Sequence, residues 1–226
     1  MAQFEPAYKI INRNEGGYIN HPNDTGGETY RGIARNIFPN WVGWTTIDFY
    51  KFNYGTIPTN ALISTLYPIA SWVDTELVPD FYRGLWAKSR AGEITDQQVA
   101  NIYFDFYVLH SEAVKAMQEA LNQLGYQVSI DNAIGSQTIG AINAANPKKL
   151  HDAYKARRAY YHSLRSNSEF YDGWIARNNK FPTLTTNAGV MGKNFLIVGV
   201  IGLAIGTFLW GEGQYQRAKL NEHERN

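Results

Sequence analysis

The sequence predicts an α+β fold that is predominantly α-helical and carries one small hairpin. Two observations point there. Apolar residues recur at three- and four-residue intervals along most of the chain, which is the period of a helix with one face buried. The exception is residues 20–27, dense in Asn, Pro, Asp and Gly, a turn-rich stretch suited to a small hairpin.

The first helix is expected over 6–14, with Ala7, Ile10 and Ile11 on its apolar face and Gly16-Gly17 as its stop. Short helices follow over about 46–52, 59–66 and 69–77, with Thr59 as an N-cap. A longer helix is predicted over 96–124. Thr95 and Gln98 have capping-box spacing, Gly125 supplies the stop, and Val99, Ile102, Tyr103, Phe106, Val114, Met117, Leu121 and Leu124 form the stripe. A polar loop over 127–135 leads to a short helix over 136–145. Pro147 opens the next one, with Leu150, Ala153, Tyr154, Arg157, Tyr161 and Leu164 along one face.

From 181 to 193 the composition turns to Pro, Thr, Asn and Gly, a linker. Residues 195–211 then run without a charge. At ~1.5 Å per residue seventeen residues span ~26 Å, just enough for a hydrocarbon core near ~30 Å. Gly199, Gly202, Gly206 and Gly211 weaken a soluble helix but are tolerated in lipid, and Trp210 and Tyr215 stand where interfacial aromatics belong. The reading is one membrane helix over 194–211, with Gly202 and Gly206 spaced for helix pairing. Arg217, Lys219 and Arg225 after the span place the short tail inside and the bulk of the chain outside.

The 226 residues suffice for one or two domains. A net charge of +1 with no Lys/Arg run gives no drive toward nucleic acid. The absence of cysteine excludes disulfides, thiolate metal sites and a cysteine nucleophile. The five His form no HExxH pattern, and neither a GxSxG elbow nor a phosphate loop occurs. No metal or cofactor is implied. The first residues lack a basic segment followed by an apolar one, so no standard secretory signal is visible. Six Trp and fifteen Tyr suit a sugar-binding groove and an ordinary core equally well.

The chemistry concentrates in Asn14-Glu15-Gly16-Gly17-Tyr18, followed by Asp24-Thr25-Gly26-Gly27-Glu28-Thr29 and Gly32-Ile33. Glu15 falls at the end of a helix, the negative pole of its dipole, where a carboxyl binds its proton more tightly. A general acid for glycosidic cleavage near neutral pH needs that. Asp24 lies in a Gly-rich turn able to fold back over the helix end, and Thr29 could hold a water or a substrate hydroxyl. A solvated helix end beside an ordinary turn is the plain alternative.

These residues resemble glycoside hydrolase family 108, the N-acetylmuramidases, whose signature is Glu-Gly-Gly, then Asp, a Gly-Gly pair, Thr and Gly-Ile. The resemblance implies a lysozyme-like core over 1–95, with Glu15 catalytic beside Asp24 and Thr29, and cleavage between N-acetylmuramic acid and N-acetylglucosamine. The Thr of phage-type lysozymes falls one residue later than Thr29. Further on, residues 130–138 resemble the Asp-Gly-x-Ile-Gly-x-x-Thr loop of predicted peptidoglycan-binding domains, with Asn132 in place of the Gly. Gly173-Trp174 and Arg177 resemble their Gly-Trp-x-x-Arg. This implies a helical wall-binding domain over 96–181, ahead of the linker over 182–193, the membrane helix and a polar tail over 212–226. The expected substrate contacts are Tyr18, His21, Asp131, Trp174 and Arg177. The expected partners are peptidoglycan and a lipid membrane. The chain is then a membrane-anchored enzyme on the wall (periplasmic) side or in a virus-particle membrane. A lytic transglycosylase, a non-catalytic wall-binding membrane protein and a holin-like effector are the rival readings. Carboxyl separation decides the stereochemistry, ~5 Å for retention and ~6.5–9.5 Å for inversion, with a lean here to inversion.

Overall fold

The computed structural model describes residues 1–20, 27–168 and 170–185. Helix α1 (Phe4–Asn14) buries Phe4, Ala7 and Ile11 and ends where Glu15 turns to extended backbone, its N–H still donating to the Ile11 carbonyl at 3.0 Å. Gly17 follows because nothing larger fits: a Cβ there would lie 2.4 Å from the carbonyl oxygens of Asn60 and Ala61. Tyr18 and Asn60 close this junction, Tyr18 N to Ala61 O at 2.9 Å and Asn60 N to Tyr18 O at 2.7 Å.

The chain then forms a three-stranded antiparallel sheet, β1 (Tyr18–Ile19), β2 (Thr29–Tyr30) and β3 (Ile33–Ala34), in that order. Tyr18 pairs with Tyr30, Ile19 with Thr29, Thr29 with Ala34 and Tyr30 with Ile33. Arg31 and Gly32 make the two-residue turn between β2 and β3, both with positive φ (48° and 78°), the conformation that matches strand twist in a tight hairpin. The expected hairpin is therefore present, with strands flanking residues 20–27.

Helix α2 (Gly43–Tyr54) is longer than expected. The helix predicted over 59–66 contracts to α3 (Ile63–Leu66), because Asn60 adopts a left-handed φ of 64° and Thr59 caps nothing. The one over 69–77 splits into a 3₁₀ turn (Pro68–Ala70) and a π-helical turn (Val73–Leu77) that feeds α4 (Val78–Lys88), a helix the apolar pattern had not signalled. Pro79 at its start marks the spot in hindsight.

The helix predicted over 96–124 is two helices, α5 (Gln97–Leu109) and α6 (Ala113–Gln123). Asp96, not Thr95, caps α5, accepting from the N–H groups of Gln98 and Val99 at 2.9 and 3.0 Å. The break falls at His110, whose backbone is extended, so the periodicity on either side belongs to two separate faces. Helix α5 is the spine: Ile102, Tyr103, Phe104 and Phe106 are fully buried, and it packs on α1, α6 and α8. Helices α7 (Ser136–Ala144), α8 (Pro147–Ser163) and α9 (Tyr171–Asn179) complete the second half. On α8 the buried face holds Leu150, Tyr154, Arg158 and Tyr161, whereas Arg157 reaches Glu119 and Leu164 is exposed.

Among the described residues no helix is long and apolar enough to cross a membrane. The membrane helix expected over 194–211, with its Gly202 and Gly206, lies outside the described residues.

Candidate active site

Glu15 leaves the end of α1 with its side chain 8% exposed. One wall of its surroundings is the hairpin tip. A Cβ on Gly32 would lie 2.6 Å from Glu15 Oε2 and 2.7 Å from the Tyr82 hydroxyl, so the carboxyl rests against bare backbone. Tyr82, on α4, donates to the Arg31 carbonyl at 2.9 Å and fixes that tip from below. Arg31 in turn reaches the Asn12 side chain and lies near Asp74, which also takes the Tyr30 hydroxyl at 2.7 Å and the Ser64 N–H at 3.0 Å.

The opposite wall comes from α9. Arg177 Nη1 lies 3.0 Å from Glu15 Oε1, and Arg177 Nε and Nη2 both donate to Asp105 Oδ1 on α5, at 2.9 and 2.8 Å. Asp105 Oδ2 accepts from Arg158 on α8 at 2.8 Å. Acidic and basic side chains thus alternate from Glu15 through Arg177 and Asp105 to Arg158, and the last three are at most 3% exposed.

Burial pushes the Glu15 carboxyl above its ordinary range, and the Asp105 charge adds to that, while Arg177 and Arg31 pull the other way without cancelling it. Asp105 goes down: burial would raise it, but Arg177 and Arg158 outweigh that cost. Two buried carboxyls thus separate in proton affinity, Glu15 disposed to hold its proton and Asp105 to stay ionised.

The remaining expected residues fall as follows. Asp24 and His21 lie outside the described residues. Thr29 is 7% exposed in β2, and its hydroxyl donates to the Gly27 carbonyl at 3.2 Å. Tyr18, 5% exposed, donates to Glu28 at 2.7 Å, and Glu28 also pairs with Lys51 and Arg35, each at 2.6 Å. Asp131 knits its own loop, its carboxylate taking the Ala133 N–H at 2.9 Å and the Gln118 amide at 2.6 Å. Asn132 holds a left-handed φ of 60°, which explains how it stands where a Gly is usual. Trp174, expected as a substrate contact, is a core residue 3% exposed, stacked on His162 with ring centres 5.7 Å apart.

The structure therefore brings Glu15 and Arg177 together and leaves Asp131 and Trp174 serving the second half. Asp105, Arg158, Tyr82 and the closeness of Gly32 were not singled out from sequence. Asp105 carried a signal, an acid between Phe104 and Phe106 on a buried helix, which must find a cation. A cavity of about 530 Å³ opens beside Asn14, walled by Ile10, Arg13, Gln98, Lys180 and Phe181 among others; Glu15 does not line it.

Two family models match the chain. Residues 8–110 match the family model described as Glycosyl hydrolase 108, and residues 112–179 match that of the Predicted Peptidoglycan domain. The first match, just under half of the chain, marks the N-terminal part as similar to the glycosyl hydrolase 108 family. The two matches together support a glycoside hydrolase acting on peptidoglycan. The two matches meet at the break between α5 and α6. Among solved structures, that titled "Structure of Brucella abortus SagA" superposes with a TM-score of 0.52 at 24% identity, covering 78% of this chain and 89% of the other, a likeness of fold. No curated protein matches the chain.

Proposed function

We propose that the chain is an N-acetylmuramidase that hydrolyses the β-1,4 bond between N-acetylmuramic acid and N-acetylglucosamine, with Glu15 as general acid. The observation that carries this is the Glu15 carboxyl itself: buried, raised in proton affinity, and resting against the bare backbone of Gly32. Glu15 protonates the bridging oxygen as the bond breaks. Asp24, nine residues on, is the second carboxylate, activating a water or steadying the oxocarbenium charge. Thr29 supports that arm through its bond to Gly27, three residues after Asp24.

Dye release from labelled peptidoglycan tests the assignment. Glu15→Gln is expected to abolish release and Asp24→Asn to cut it strongly; a fully active Glu15→Gln would remove Glu15 from the mechanism. Mass spectrometry of the products decides the reaction type. Reducing N-acetylmuramic ends support hydrolysis, and anhydro ends would identify a lytic transglycosylase instead.

The uncharged run over 195–211 is proposed as an anchor that keeps the enzyme at a membrane on the wall side. Detergent phase partition of the full chain against residues 1–190 checks this, with only the full chain expected in the detergent phase.

A further inference from the structure

We infer that Arg177, gripped by Asp105, is a positioning residue for Glu15, so that the segment matching the Predicted Peptidoglycan domain completes the catalytic site of this chain. The inference rests on the reading of Glu15 as the acid.

Three observations carry it. A guanidinium is a flat fork, and two of its three nitrogens here are fixed on Asp105 Oδ1, leaving Nη1 aimed at Glu15. Asp105 cannot swing, because Arg158 holds its other oxygen at 2.8 Å and itself donates to the Ile102 carbonyl at 3.2 Å. The Glu15 carboxyl is then clamped between this fork on Oε1 and the Gly32 backbone on Oε2. Burial supplies the second observation. Arg177 and Trp174 are each 3% exposed, so this face of α9 is turned into the protein and is closed to a wall polymer. Charge supplies the third. A lone cation 3.0 Å from a buried carboxyl holds it ionised, which is wrong for an acid. Burial chiefly raises the Glu15 proton affinity, and Asp105 adds to it by sharing the Arg177 charge, so the guanidinium orients Glu15 while the carboxyl keeps its proton.

The charges make a test that a merely structural role would not pass. A general acid loses activity as pH rises through its pKa, so the basic limb of the kcat profile reports Glu15. Arg177→Gln removes an influence that lowers the Glu15 pKa, and the limb moves up. Asp105→Asn removes one that raises it, and the limb moves down.

The experiment uses the full chain as wild type, Arg177→Gln, Arg177→Lys, Asp105→Asn and Glu15→Gln. Circular dichroism verifies folding, labelled peptidoglycan fragments give kcat and KM from pH 4 to 9, and pelleting with insoluble sacculi gives wall binding. In Arg177→Gln kcat is expected to fall about 100-fold, the size of effect a misplaced catalytic group produces, with KM and pelleting unchanged. Arg177→Lys is expected to recover part of the loss, and the two limb shifts to be opposite. A folded Arg177→Gln with wild-type kcat and limb overturns the inference. So does one that loses pelleting while keeping kcat, which would make Arg177 a wall contact. If Arg177→Gln does not fold, Arg177→Lys carries the test: wild-type kcat and limb in it overturn the inference, and a folded loss of kcat supports it. An active Glu15→Gln fails separately, striking the acid assignment whatever Arg177 does.

Discussion

Gly32 and Glu15 touch so closely that a single added carbon on Gly32 would lie 2.6 Å from the carboxyl oxygen Oε2. Gly32 also holds a φ of 78°, which side chains rarely adopt. Gly32→Ala therefore combines backbone strain of about 1–3 kcal/mol with displacement of the carboxyl. The expected outcome is a folded protein, melting several degrees lower, with dye release down by about 100-fold or more. Thermal melts and the release assay read the two effects apart; wild-type release would show that the carboxyl has room to move.

Glu15 costs the protein stability. Its folded pKa lies above the unfolded value, so its contribution is fully favourable below the unfolded pKa near 4.5 and is lost as pH rises through the folded one. At alkaline pH an ionised, buried carboxyl remains. Glu15→Gln keeps the shape without the charge, so it is expected to melt higher than wild type at pH 8 and to match it near pH 4. Each unit of upward shift corresponds to about 1.4 kcal/mol, or about 3–6 °C for a chain of this size. Melting temperatures of both proteins from pH 4 to 8 check this, and an equal gap at every pH would refute it.

The sequence made the helical majority, the hairpin and Glu15 legible, because each rests on local chemistry: periodic apolar residues, turn-forming dipeptides, a carboxylate before Gly-Gly. It hid what depends on distance along the chain. The Arg177–Glu15 pair joins residues 162 apart, and nothing near either residue announces the other. The break at His110 was hidden because both flanking segments are apolar and contain no Gly or Pro. Likewise Arg157 and Arg158 are neighbours of one type, and only the packing of α8 on α5 decides which is buried against Asp105.

Gly17 is the sharper test of the junction between α1 and the sheet. Its missing Cβ would meet two backbone oxygens, those of Asn60 and Ala61, both at 2.4 Å, and backbone cannot step aside as a side-chain tip can. Gly17→Ala is expected to push the 60–61 turn away from Tyr18, breaking the two hydrogen bonds that tie them. A loss of about 2–4 kcal/mol, in the range of severe overpacking, should appear in urea melts as a lower midpoint with little change in slope. A midpoint within error of wild type would mean the turn is free to shift.

His162 predicts how the protein meets acid. Its ring is fully buried beside Trp174 and His110, and neither ring nitrogen has a hydrogen-bond partner among the described residues. Burial depresses its pKa, and the nearby charges of Arg158, Arg177 and Arg165 push in the same direction. A depressed pKa means stability present above the unfolded value near 6.5 and lost as pH falls below it, because the unfolded chain takes up a proton that the folded one refuses. The slope from one such group approaches about 1.4 kcal/mol per pH unit. His110, depressed by burial as well, and Asp105, ionised between two arginines, act in the same direction, Asp105 only at still lower pH. Replacing His162 with Phe, a flat ring with no proton to bind, removes one contributor. Between pH 6.5 and 5 the variant is expected to lose melting temperature at a visibly shallower rate than wild type, whatever its stability at pH 7. Parallel slopes over that interval would mean that His162 takes up its proton without leaving the core.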